Sequence, residues 1–243
     1  MSSYVIHPIV CGLNATDQGV MTYLRHYGKA IHIPIYVFYL EGGDKKILID
    51  SGLEDFLIPE GLEDELGLRV EYLEDGLARL GVTPEEIDII IHTHLHNDHC
   101  ENDGMFPNAK IYVQRAELEF CRHPHPLDHR YDADYLEGCA IVELDGPAEV
   151  APGVSVLPTP GHSPGGQSVV VQTAQSGKAL ITGFCCNDKN FPPSGPAVAP
   201  GVHTDAIQAW ESANLVKSML ESGQIDLLIP CHALWPGQKG PIA

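Results

Sequence analysis

The nine residues His92–Cys100, HTHLHNDHC, hold four histidines and one aspartate. Imidazole and carboxylate are the side chains that ligate first-row divalent ions. His94 and His96 lie two residues apart, so on extended backbone their rings project from one side. Two neutral imidazoles so placed make half of a tetrahedral zinc shell. Asp98 and His99 follow where the chain begins to turn, and they can aim at a second point a few ångströms away. Paired ions about 3.5–4 Å apart are the usual arrangement of hydrolytic two-metal sites. Two more histidines stand at strand ends. His162 sits in PTPGHSPG, a loop stiffened by Pro160, Gly161, Pro164 and Gly165, and His232 sits in IPCHA.

These side chains need a scaffold that delivers them to one edge. IPIYVFYLEGGDKKILIDSG reads as strand, turn, strand, with Ile35–Leu40 and Lys46–Asp50 as the strands. Val70, Leu73, Leu77 and Leu80 recur at helical spacing and predict a helix. Thr83, Pro84 and Glu86 form a capping-box start for a short turn. IDIIIHTH is a β-branched run, a buried strand from Ile87 to about His92, which puts the histidine cluster just past a core strand. AKIYVQ, VSVLP, QSVVVQT and Ala179–Thr182 read as further strands. A helix follows from about Asp205 to Glu221, with Ile207, Trp210, Ala213, Val216 and Leu220 on one face and Gly223 as its stop. IDLLIPCH is a last strand ending at His232. The order is strands then helix, twice over. It predicts sheets packed on each other with helices outside. Residues 122–137 fit neither period and read as a surface or lid excursion.

The chain has 243 residues and is 44% hydrophobic, enough to bury a large core, and 1–243 reads as a single domain. Fourteen basic against 33 acidic residues give a formal charge of −19. Such a surface repels phosphate backbones and anionic lipid, which argues against nucleic-acid and membrane partners. No apolar run approaches the roughly 20 residues that span a bilayer. The seven cysteines are odd in number and irregularly spaced. With no signal-peptide pattern at the start, they imply a reducing cytoplasm. A homo-oligomer stays open.

His94, His96, Asp98 and His99 together spell His-x-His-x-Asp-His, and with Asp50 in ILIDSG, His162 in its Gly-His-Ser-Pro-Gly loop and the late His232 the chain resembles the metallo-β-lactamase superfamily. HTHLHNDHC, FPNAKIYVQRAELEF and PTPGHSPGGQS look most like its N-acyl-homoserine lactonase branch. The resemblance spans residues from about 34 to 233. It implies an α+β fold of the α/β class, a four-layer αββα sandwich with the site at the sheet edge. It implies one ion on His94, His96 and His162 and another on Asp98, His99 and His232, with about one to two zinc ions, or another first-row divalent ion, per chain. Asp98 is then also the catalytic candidate. Asp50 reads as a residue that orients a histidine rather than as a ligand, and His92 as one that packs or hydrogen-bonds near the site. His123, His125 and His129 read as a solvated loop.

One departure stands out. The family usually has Gly-Asp after the strand that here reads ALITG, and that aspartate bridges the metals; this chain has Gly183-Phe184. The usual nearby tyrosine is absent too. Phe184 is expected at the metal edge, and the next residue, Cys185, is the candidate to replace the bridge as a thiolate. The chemistry implied is hydrolysis, with a metal-bound hydroxide attacking the carbonyl of a small lactone or ester. Amide, thioester or β-lactam hydrolysis on the same residues is the alternative. A non-catalytic metal-binding relative with a degenerate second site is another. Single-iron oxygen chemistry would need the missing aspartate.

Overall fold

The computed structural model describes residues 2–56 and 58–243. Six strands form the first sheet in chain order: β1 (Val5–Asp17), β2 (Ala30–Glu41), β3 (Ile47–Ile49), β4 (Ile89–Ile91), β5 (Lys110–Gln114) and β6 (Ala140–Leu144). The first three run antiparallel, and β3 to β6 run parallel. The second sheet contains β7 (Ala148–Ala151), β8 (Val154–Pro158), β9 (Gln167–Gln172), β10 (Lys178–Ile181) and β11 (Leu227–Ile229), ordered β11-β10-β9-β8-β7. Only its β10–β11 pair is parallel.

Period-2 alternation explains the layers. In β3 and β4 every residue is buried, because both faces are covered. Ile47, Ile49, Ile89 and Ile91 meet Val154, Val156, Val169, Val171 and Ile181 between the sheets. Leu48, Ile90 and Ile111 face the other way, onto Leu73 and Leu77 of helix α1 (Leu73–Arg79). Behind the second sheet, Leu180 packs with Ala213 and Val216 of the long C-terminal helix, Ala206–Glu221. Helix, sheet, sheet, helix is the αββα sandwich that the resemblance implies. No helix among the described residues is long and apolar enough to cross a membrane.

Several elements depart from the sequence expectations. The strand β1 is absent from them, because Pro8, Gly12 and polar residues break its alternation. Pro8 is tolerated since β1 is an edge strand, and the register shifts between Val10 and Leu13. The strands β6 and β7 and the helix Arg115–Arg122 are also new. The long helix lies as expected, capped by Asp205, whose Oδ1 accepts from the N–H groups of Ile207 and Gln208, and stopped before Gly223 at φ +73°. Its buried face is different. Ala213 and Val216 are buried, but Ile207 is 72% and Trp210 47% exposed, while Ala209, Ser212 and Lys217 turn inward. Close approach decides this: a Cβ on Gly161 would lie 2.0 Å from Ala209 N, so only small side chains fit against that loop.

Candidate metal centre

The carboxyl ends of β3, β4, β10 and β11 and the β8–β9 loop gather at one edge of the sandwich. Asp50 follows β3, His94 and His96 follow β4, and helix α2 (Asn97–Cys100) carries Asp98 and His99. His162 comes from the β8–β9 loop and His232 from just past β11. Gln167 bridges the sheets here: its N–H donates to Thr93 O at 2.8 Å and its Nε2 to His92 O at 2.7 Å. The His162 loop is fixed by closeness to its neighbours. A Cβ on Gly165 would lie 2.1 Å from Glu117 N, so glycine alone lets the loop reach helix α3 (Arg115–Arg122).

Two groups of potential ligands result: His94, His96 and His162, and Asp98, His99 and His232. Within each, the donor atoms lie within 4.8 Å of one another. All five histidines are buried, and Asp98 keeps a side chain 18% exposed to the pocket. Ring anchoring selects which nitrogen keeps a lone pair. His162 Nδ1 donates to Val202 O at 2.8 Å, and His232 Nδ1 to Pro34 O at 2.9 Å. His99 Nδ1 donates to Asp50 Oδ2 at 2.7 Å, and His94 Nδ1 meets Thr93 Oγ1 at 3.0 Å. Each of these four rings therefore holds Nε2 free, and His99 Nε2 is buried with no hydrogen-bond partner. Burial, followed by the neighbouring imidazoles, keeps His94 and His162 well below the ordinary histidine pKa, so both are neutral. Asp98 is held below its usual range: burial opposes the charge, but His99, His232 and His96 outweigh it. Burial also opposes charge on His99 and His232, but Asp98 and Asp50 beside the first and Cys231 beside the second prevail and push both up, so an ion bound there would displace their protons. Imidazoles with an ionised carboxylate are the donor set of a divalent first-row ion, and the residues fit one.

Asp50 supports this set, at φ +62°, a conformation unfavourable for a residue with a Cβ. It takes Thr93 N–H and Oγ1–H at 2.7 and 2.8 Å besides the His99 ring. His92 is turned away from the pocket: its Nε2 binds Asp103 at 2.8 Å, and its Nδ1 lies 3.5 Å from Asp50. Burial works against a charged His92, but the Asp103 and Asp50 carboxylates prevail and push its pKa up to about 10. A raised folded value stabilises fully below the unfolded value of about 6.5, and the gain is lost as pH climbs through about 10. Denaturant unfolding of metal-free protein should therefore show more stability lost between about pH 6 and pH 10 in the wild type than in His92→Gln. Equal losses would remove His92 from that role.

Phe184 departs from the sequence expectation, while Cys185 stays on the pocket wall beside His232. The chain passes so close to β9 that a Cβ on Gly183 would meet Gln167 O, and Gly183 N–H donates to Ser168 Oγ at 3.1 Å. Phe184 then points into the apolar cluster under the long helix, with Leu180, Ala213 and Val216, not toward the metal edge. An aspartate there would bury a charge in hydrocarbon. Cys185 does line the pocket, but its thiol donates to Met21 Sδ at 3.4 Å and belongs to neither ligand group. Burial raises its pKa.

The pocket holds about 530 Å³. Asn14, Thr16, Val20 and Ile33 wall one side, and Leu127, Asp128, His129 and Arg130 of the irregular 122–137 segment wall another. His129 is thus the one member of its histidine trio on the pocket wall. A larger hollow, about 850 Å³, lies by β7–β9 and holds none of the ligand candidates. Sequence reasoning missed Glu117, which is fully buried and ties the loops together. Its Oε1 accepts from Leu95 N–H (3.0 Å) and Tyr131 O–H (2.8 Å), and its Oε2 from Gly165 N–H (2.8 Å). A first-turn glutamate normally faces solvent, so nothing in the local pattern marks it.

Residues 32–232 match the model of the metallo-beta-lactamase superfamily. An N-acyl homoserine lactonase of Bacillus thuringiensis is 36% identical over 170 residues, which cover 64% of this chain and 65% of the relative. The chain thus spans about two thirds of that relative's length. A solved quorum-quenching N-acyl homoserine lactone lactonase superposes with TM-score 0.76 at 29% identity, covering 96% of this chain and 93% of its own. A solved N-acyl homoserine lactone hydrolase with the product N-hexanoyl-L-homoserine at its catalytic metal centre also gives 0.76 at 29% identity, covering 96% and 94%.

Proposed function

Because the chain belongs to the metallo-beta-lactamase superfamily, we propose that it is a zinc-dependent hydrolase that opens a small lactone or ester. The observation that carries this reading is the pair of three-donor groups facing one pocket. His94, His96 and His162 would hold one ion, and Asp98, His99 and His232 the other. An imidazole-rich set with a single carboxylate suits zinc better than magnesium or calcium. Bound ions would supply Lewis acidity toward a carbonyl and would lower the pKa of a ligated water.

The chain's own residues supply the rest. Asp50, Thr93 and the carbonyls of Pro34 and Val202 fix four rings in place, so little reorganisation is left for the reaction itself. The partly exposed Asp98 carboxylate, which lines the pocket, would accept a proton from the nucleophile and return it to the leaving alkoxide. Val20, Ile33 and Leu127 offer apolar wall to the non-reacting part of a substrate. The matches to solved lactone hydrolases along nearly the whole chain support a lactone as substrate.

Purified protein should carry about one to two equivalents of zinc. It should open short lactones faster than matched linear amides. Turnover of amides or thioesters by a metal-loaded protein inert to every lactone would reject the lactone in favour of the alternative bond. Full metal content with no turnover of any ester would make the protein a metal-binding relative.

A further inference from the structure

Four of the five histidine ligands have a ring nitrogen pinned by an acceptor within 3.0 Å, and His96 does not. Its Nε2 is buried without a hydrogen-bond partner. That nitrogen faces one carboxylate, Asp128, whose Oδ2 lies 3.6 Å away. Tyr131 stacks edge-on against the same ring, with centroids 4.7 Å apart, and limits its rotation. Asp128 is nearly buried at 9% side-chain exposure and lines the pocket.

Arg130 holds that carboxylate in place. Its Nε donates to Asp128 Oδ1 and its Nη2 to Asp128 Oδ2, both at 2.7 Å, a two-point clamp that fixes the plane of the carboxylate. The clamp is docked onto the metal loop, because Asn97 N–H donates to Arg130 O at 2.8 Å. The segment that appears in sequence as a surface excursion is therefore joined to the ligand loop by a backbone bond and by a charged pair at a ligand's rear.

We propose that Asp128, held in place by Arg130, is a positioning residue of the metal centre: it faces the Nε2–H of His96 and so leaves the Nδ1 lone pair for the ion. The inference rests on the metal-dependent reading above. Removing a carboxylate behind a metal-ligating histidine typically weakens metal binding about 10- to 100-fold.

The test uses full-length protein loaded with Co(II), read by chelator competition and by its visible ligand-field spectrum. Asp128→Asn should weaken Co(II) binding about 10-fold and change the spectrum, while the metal-free variant melts close to the wild type. Asp128→Glu should recover part of the affinity. Arg130→Met should also change the spectrum, because the carboxylate loses its clamp. A wild type that takes up no Co(II) overturns the metal reading itself. A wild type that binds, with an Asp128→Asn variant of equal affinity and spectrum, overturns the role of Asp128 alone. If Asp128→Asn does not fold, Arg130→Met decides, and an unchanged affinity and spectrum in it overturns the proposal.

Discussion

His94→Ala should strip the centre of most of its metal and reduce ester turnover far beyond the roughly 10- to 100-fold of a change behind a ligand. The ring stands at the middle of the cluster. Its centroid lies 4.5 Å from that of His96, 4.1 Å from His99 and 4.8 Å from His162. Removing it deletes one ligand of three and opens space between the two groups. Few other contacts suffer, because its neighbours are mainly the other ligands. The metal-free variant should therefore melt near the metal-free wild type, while the stabilisation that excess zinc gives the wild type should disappear. Metal content by elemental analysis, melts with and without zinc, and turnover of a short lactone measure the three expectations. Undiminished metal and turnover in His94→Ala would remove the three-histidine group from the chemistry. His129→Ala, on the pocket wall but in neither ligand group, is the control expected to keep its metal.

The candidate ligands were legible in the sequence because their signals are local, and the family resemblance supplied their grouping. HTHLHNDHC follows a run of β-branched residues, and His162 sits among prolines and glycines whose backbone limits are read directly from residue type. Asp50 was singled out by the family resemblance, and the fold puts its carboxylate on the His99 ring. What was not legible depends on contacts across the fold. Phe184 follows a strand toward the site, yet the crowding of Gly183 against Gln167 turns it into the core. The long helix shows an apolar stripe through Ile207 and Trp210, yet the His162 loop comes so close that alanine and serine face inward instead. Asp128 and Arg130 sit in a segment with no period at all, and only the folded chain places them behind His96. Hydrophobic patterning reports which element forms. It does not report which face a close neighbour will claim.

Glu117→Gln should be among the most damaging single substitutions outside the ligands. The carboxylate sits in a ring of donors: two backbone N–H groups, of Leu95 and Gly165, and the Tyr131 hydroxyl. Glutamine keeps the shape but replaces one acceptor oxygen with an NH2 group, which then points at a donor. Backbone donors cannot rotate away, and the loop cannot retreat, because Gly165 already packs against the Glu117 backbone too tightly to admit a Cβ. An unmade bond of a buried group costs about 1–3 kcal/mol, and more where charge is involved, so about 3 kcal/mol in total is expected. For a chain of this length that is a fall of roughly 6–12 °C in melting temperature. Glu117→Ala should be no worse, since the space it opens can admit water that accepts from the stranded donors. That ordering separates a hydrogen-bonding role from simple packing, for which alanine would be the more harmful change. The two loops that Glu117 joins carry His94, His96 and His162, so the deficit should be larger in the zinc-loaded protein than in the metal-free one. Melting both variants in both states tests this, and a Glu117→Gln protein that melts like the wild type with and without zinc would refute it.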